Sequence, residues 1–325
     1  MKKKKYLYII ASVFILLIVS CESKIIKTFN LLENLDSIPP KLKYIESNSP
    51  YSIEIEFDER LNLKEKTHLI IDNKEKTNYK VNKNKITYYQ NEKMIPGEKH
   101  YIKLKVEDLN GNSTFIESFV FTKNTDMADI LISEVSTKGT SKNCDKVEIV
   151  VTKSGSLAGI VVSDGFNNNY NDRCVLPDVY ANEGDFYVIS FKNQEDDDMF
   201  ISENKKGLSS NNGCVLLLDS PSYNAKVIDC IIYSNKKSEN CEGFASEKTL
   251  ETAKSLSNIG LWEKAYPLSE TAINSTYETS TRTINRKYIK DYFFIDSNSN
   301  NDFYITVTRG DTFGYINTKD EYLID

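Results

Sequence analysis

"SIEIEFDE" (residues 52–59) decides the fold. Ile53, Ile55 and Phe57 fall on one side of an extended chain and the acids on the other, the two-residue period of a half-buried strand. Working outward, "THLIID" (67–72), "NYKV" (78–81), "KITYY" (85–89) and "HYIKLKVED" (100–108) follow as strands, separated by Asn, Lys and Gly. "LNGN" (109–112) and then "FIESFVF" (115–121) read as a hairpin, with Asn110-Gly111 supplying the positive φ that a tight turn needs. Short strands at this spacing predict a sandwich.

Composition agrees. The chain has 325 residues, room for about two domains at roughly 150 residues each. Gly (13) and Pro (7) are too scarce for a collagen-like or low-complexity chain. Tyr, Ile, Val and Thr favour strands, so the expected class is mainly β. The formal net charge is −6, and neither half of the chain carries the basic excess that phosphate binding demands, so nucleic acid is not an expected partner.

Lys2 to Lys5 followed by the apolar run Tyr6 to Val19 form the charged and hydrophobic regions of a signal peptide. The run is shorter than the roughly 20 residues of a spanning helix. Ile18-Val19-Ser20-Cys21 resembles the bacterial lipobox. That resemblance implies removal of residues 1–20 and acylation of the Cys21 thiol. Each buried methylene contributes about 0.8 kcal/mol, and two or more chains hold a protein stably on a bilayer. The expected location is therefore the cell envelope, membrane-anchored by lipid, at the outer membrane or cell surface rather than the inner membrane. Residues 21–37 read as the lipidated tether.

Downstream, "ADILISEVSTKG" (128–139) reads as a strand and loop, and "CDKVEIVVTKSGSLAGIVVSDG" (144–165) as two strands joined by Ser154-Gly155. "GDFYVIS" (184–190), "GCVLLLD" (213–219) and "AKVIDCIIY" (225–233) are further strands, the last two a hairpin. "SEKTLETAKSLSNIG" (246–260) predicts a helix, with Ser246 as N-cap, Gly260 as stop and Leu250, Ala253 and Leu256 as its buried stripe.

Residues 38–123 resemble the bacterial Ig-like domains of envelope proteins, on Pro40, Ile53, Ile55, Phe57, Val106, Asp108, Gly111 and Asn112. The resemblance implies a spacing or adhesive role. Residues 128–318 resemble a lamin tail domain, itself an Ig-like β-sandwich. The opening motif is Ile132-Ser133-Glu134-Val135, then Asp145 with Val147-Glu148-Ile149, then Leu157, Gly159 and Ser163-Asp164-Gly165. Gly213, Leu217 and Asp219 match the hairpin, and Arg282, Asp302-Phe303, Gly314 and Asn317 the close. The chain departs from that family at Thr312-Phe313, where a proline is usual, and in the long stretch from Ser234 to Ser280. Residues 319–325 read as a tail. The expectation is two Ig-like β-sandwich domains in tandem after a cleaved lipoprotein signal peptide, with a short helical insertion in the second.

Beyond Cys21, the cysteines are Cys144, Cys174, Cys214, Cys230 and Cys241. An exported chain permits disulfides. The expected bridges are Cys144–Cys174 and Cys230–Cys241, with Cys214 a buried strand residue; spacing alone leaves the other pairings open. There is no C-x-x-C pair, and His68 and His100 lie in the other domain, isolated on strands, so zinc is not expected. No G-x-S-x-G, H-E-x-x-H or phosphate-binding glycine loop occurs. Among 47 acids nothing singles out a catalytic pair.

In "DSNSNND" (296–302), Asp296, Asn298 and Asn300 stand at positions 1, 3 and 5 of a calcium loop. Asn301 and Val307 then break the pattern at positions 6 and 12. That stretch and "QEDDDMF" (194–200) read as solvated loops. The reading that results is a non-catalytic, membrane-anchored envelope lipoprotein, without a cofactor, that presents its second sandwich for binding or adhesion to a protein or glycan ligand. The other readings are a periplasm-facing structural lipoprotein that organises the envelope, and a localisation subunit of a membrane-associated hydrolase or nuclease. The candidate contact segments are residues 245–260 and "NNNYNDR" (167–173).

Overall fold

The computed structural model describes residues 36–62, 67–166, 170–192, 199–290 and 293–323. The leader, Cys21 and the tether as far as residue 35 lie outside them, as do residues 167–169 and 194–198 of the two polar loops. The described residues are mainly β with a single α-helix, in two β-sandwich domains. They cluster into two compact units. One takes in Glu54–Tyr88, Ile102–Ser118 and the chain before Glu46; the other takes in Glu46–Ile53, Tyr89–Tyr101 and the chain from Phe119 onward. Among the described residues no helix is long and apolar enough to cross a membrane.

The first strands are β1 (Leu42–Ser49), β2 (Ser52–Phe57), β3 (His68–Ile71), β4 (Lys74–Lys76), β5 (Tyr79–Asn82), β6 (Lys85–Tyr89), β7 (Lys99–Glu107) and β8 (Ser113–Phe121). They make two four-stranded sheets, β1-β2-β6-β5 and β4-β3-β7-β8. The alternation in "SIEIEF" holds: Ile53, Ile55 and Phe57 are buried, each contributing about 1.5–3 kcal/mol by leaving water. At the β7–β8 turn, Asp108 Oδ1 accepts the N–H groups of Asn110 and Asn112, both at 2.8 Å, and Gly111 has φ +89°. His100 points inward against Thr122 Oγ1 at 3.0 Å, whereas His68 is exposed.

The later strands are β9 (Asp129–Ser136), β10 (Lys146–Lys153), β11 (Gly155–Ser156), β12 (Val161–Asp164), β13 (Arg173–Val175), β14 (Tyr180–Ala181) and β15 (Phe186–Ser190). They continue with β16 (Phe200–Ile201), β17 (Asn212–Leu218), β18 (Val227–Ser234), helix α1 (Glu247–Asn258), β19 (Ile273–Asn274), β20 (Ile284–Arg286) and β21 (Phe303–Ile305). One sheet runs β16-β15-β10-β9-β20-β21 and the other β13-β12-β17-β18-β19, with β11 and β14 as a separate pair. Ile132, Val135 and Ile149 of the first sheet share one apolar core with Val162, Val215 and Ile231 of the second. β10 and β12 belong to different sheets, so the Ser154-Gly155 link crosses between sheets. Gly155 is needed there, because a Cβ would stand 2.5 Å from Ala128 N. Helix α1 starts as expected: Ser246 Oγ accepts the Thr249 N–H, and Leu250, Ala253 and Leu256 are buried.

The expected disulfides are not formed. No bridge joins Cys144, Cys174, Cys214, Cys230 and Cys241 to one another. Cys144 Sγ sits 3.1 Å from Ser190 Oγ beside β10, while Cys174 lies on β13 in the opposite sheet. Cys230 Sγ donates to the Leu261 carbonyl at 3.3 Å, under α1, and Cys241 turns to Glu247. Four of the five are core residues, and burial pushes the Cys174 thiol up to about 12. Cys214 is a buried strand residue, as expected.

The two sheets are also joined by charge. Arg286 Nη2 on β20 meets Asp229 Oδ2 on β18 at 2.6 Å, with side-chain exposures of 1% and 3%. The same oxygen accepts the Ile132 N–H at 2.7 Å, and Arg286 Nε donates to the Ile132 carbonyl at 2.7 Å. β20 pairs with β9 only at Val135 and Glu134, so the ion pair takes over the β9 backbone where the ladder stops. Arg282, by contrast, is half-buried and stacks on Tyr322. Arg286→Leu strands the Asp229 charge and is expected to cost about 3–5 kcal/mol, read from the urea midpoint. Adding Asp229→Leu recovers the charge penalty but stays about 1–3 kcal/mol short, because Ile132 keeps two buried backbone groups without partners.

Candidate functional site

β12 ends at Asp164, where the chain turns out of the sheet. The Asp164 N–H donates to the Asp172 carbonyl, and the Asn171 N–H returns to the Asp164 carbonyl at 2.8 Å. Asp172, fully buried, accepts from Ser202 Oγ and from the N–H groups of Arg173, Asn204 and Lys206, which ties the neighbouring loop to this turn. Asp164 Oδ2 accepts three hydrogen bonds, from Asn171 Nδ2 (2.9 Å), Ser209 N (3.1 Å) and Ser209 Oγ (2.9 Å). Ser209 is held from behind, its carbonyl accepting the Tyr233 hydroxyl at 2.5 Å. Gly213 makes room for that ring, since a Cβ there would stand 2.3 Å from the hydroxyl oxygen.

Helix α1 closes the other side. Lys248 Nζ donates to Asn171 Oδ1 at 2.8 Å. Asp164, Asn171, Ser209 and Lys248, with Ser246 and Thr249, line a cavity of about 300 Å³. Burial pushes the Asp164 carboxyl up and the Lys248 ammonium down. Both contact segments expected from sequence therefore meet at one place, through Lys248 and Asn171. Tyr170 lies against the Arg173 guanidinium at 4.8 Å, and Arg173 pairs with Glu203 at 3.0 Å. Sequence reading did not assign Ser209 or Lys248 a role; the Ser/Asn density of "LSSNNG" (208–213) was the available signal.

Other charged groups have structural work. Glu134 and Glu148 face each other across β9 and β10 and are completely buried. Glu134 accepts from Thr283 Oγ1 and from the N–H and Oγ1 of Thr312; Glu148 accepts from Ser133 Oγ and the Gly314 N–H. This carboxylate pair is sealed from solvent beneath residues 312–314. In "DSNSNND", Asp302 accepts from Ser297 and the Ser299 N–H as a helix cap, and Asp296 Oδ1 pairs with Arg286 at 3.3 Å. Among the described residues, Asp36, Glu59 and Asp108 bring carboxylate oxygens within 4.8 Å of one another. The Asp108 carboxylate already closes the β7–β8 turn.

The profile of the TP_1001 protein second domain family matches residues 128–204 and 197–305, together more than half of the chain. Among solved structures, a DUF4876 family protein from Bacteroides thetaiotaomicron is similar at 12% identity and a TM-score of 0.34, covering 80% of this chain and 93% of that one. Dimeric latent PorU from Porphyromonas gingivalis is similar at 12% identity and a TM-score of 0.21, over 64% of this chain and 19% of PorU. The S-layer protein rSbsC is similar at 8% identity and a TM-score of 0.23, over 58% of this chain and 40% of that one. No curated protein matches the chain.

The sealed acids make stability depend on pH. Burial pushes Glu134 and Glu278 up to about 7 and Glu148 up to about 8, from an ordinary 4.5. A carboxyl raised on folding takes up a proton as the chain folds. Its contribution is complete below the unfolded value and is lost as pH rises through the folded one. The melting temperature is expected to be higher near about pH 5 than near about pH 8.5, by several degrees. Glu148→Gln, which removes the highest of these titrations, should flatten the slope measured by calorimetry across that window.

Proposed function

The chain belongs to the TP_1001 protein second domain family, and on that premise we propose that it is a non-catalytic envelope lipoprotein that displays a polar cavity to a partner. Residues 1–20 act as the leader, and Cys21 carries the lipid, a reading supported by the lipobox resemblance of Ile18-Val19-Ser20-Cys21. Residues 38–123 serve as a bacterial Ig-like spacer. Residues 128–318 form a lamin-tail-like sandwich that carries the site at the outer membrane or cell surface. The observation that carries this reading is the hydrogen bond from Lys248 to Asn171, which joins an inserted helix and a polar loop around one cavity. Loops and insertions on a rigid β scaffold are where binding groups concentrate.

Two measurements test the reading. Cells grown with radiolabelled palmitate should label the native chain, and Cys21→Ala should abolish the label and release the protein to the aqueous fraction. Protease added to intact cells should then digest residues 128–318. Absence of label in the native chain overturns the anchor. Protection from protease together with normal labelling overturns surface display and favours an inward-facing structural role.

A further inference from the structure

We propose, resting on the display reading above, that the cavity between Asp164 and the start of α1 binds one neutral sugar residue. Its size is the first argument. At about 300 Å³ it stands at the lower end of the roughly 300–1,000 Å³ range of small-molecule sites, which suits a single ring. Charge is the second. Asp164 is 2% exposed, and a buried carboxylate repels an anionic ligand; Lys248, joined to it through Asn171, repels a cationic one. A ligand with a single net charge conflicts with one of these two groups, and an uncharged one with neither.

Hydrogen-bonding capacity is the third argument. Ser246 and Thr249 on the lining carry hydroxyls with both donor and acceptor capacity, the same dual character as adjacent ring hydroxyls, while Asn171 and Ser209 are engaged with Asp164 and Lys248 and hold the wall in place. The three hydrogen bonds described for the Asp164 side chain end on Oδ2, which leaves Oδ1 as the acceptor for a ligand hydroxyl. The scaffold is pre-formed: Tyr233 fixes Ser209, and the Asp164–Asn171–Lys248 chain fixes the opposite wall.

The full chain, held in a detergent without a sugar headgroup, is titrated by calorimetry with neutral hexoses and N-acetylhexosamines. Glucose 6-phosphate and glucosamine serve as the charged counterparts. At least one neutral sugar should bind saturably with Kd on the order of 1 mM, as expected for about a dozen heavy atoms. Lys248→Ala and Asn171→Ala should each weaken it by about tenfold or more while the melting transition persists. Asp164→Asn, which keeps the shape but removes the charge, should admit the phosphorylated sugar better than the native chain does. Binding to no neutral sugar, tighter binding of either charged sugar by the native chain, or binding unchanged in both alanine variants overturns the proposal. Palmitate labelling and protease access do not depend on sugar, so failure here is separable from failure of the anchoring and display reading.

Discussion

Ile132 turns both of its backbone hydrogen-bonding groups towards a position that no strand occupies. A buried amide left without a partner is costly, and here the partners are a carboxylate from one sheet and a guanidinium from the other. Asp229 and Arg286 thereby do two things at once. They complete the edge of β9 beyond the short pairing with β20, and they fix the distance between the sheets at that point. Asn317 extends the same device by donating to the Ser133 and Arg286 carbonyls. Taking two charges out of water is expensive, so an ion pair of this kind specifies an arrangement more than it adds net stability.

That specification is what allows the rest of the second sandwich to be irregular. The long stretch between β18 and β20 includes α1 and a loop that places Trp262 Nε1 on the Thr271 carbonyl. Part of it packs into the shared core through Leu250, Leu256 and Trp262, and β19 adds an edge to the second sheet. The insertion is also available to cover one end of β17 and contribute Lys248 to a cavity wall. Asp164 and Lys248 there are neither in direct contact nor fully screened, so the cavity is polar without being strongly charged.

Period and capping were legible in the sequence. The alternation of Ile53, Ile55 and Phe57, the β17–β18 hairpin, and the Ser246 cap with its Leu250, Ala253 and Leu256 stripe are local patterns, and local patterns survive folding. The strands β1 and β4 were not read, because "LKYIESNS" and "KEK" lie at sheet edges with mostly polar, unalternating faces. Cysteine pairing was misread for a different reason. An exported chain permits bridges, but spacing does not reveal that Cys144 and Cys174 belong to opposite sheets. Arg286 follows the same logic as Ser209 and Lys248: its partners lie far away in sequence, and nothing in "TINR" marks it as the buried arginine rather than Arg282.

The two sealed glutamates have a consequence for synthesis. Glu134 receives its cover from Thr312 and Glu148 from Gly314, 178 and 166 residues further along. A polypeptide emerges from the ribosome amino end first, so both acids are made long before anything exists to shield them. Contacts of such separation also form slowly. The two acids thus gain their buried partners only once residues 312–314 have emerged, so this part of the sandwich closes last in the order of synthesis.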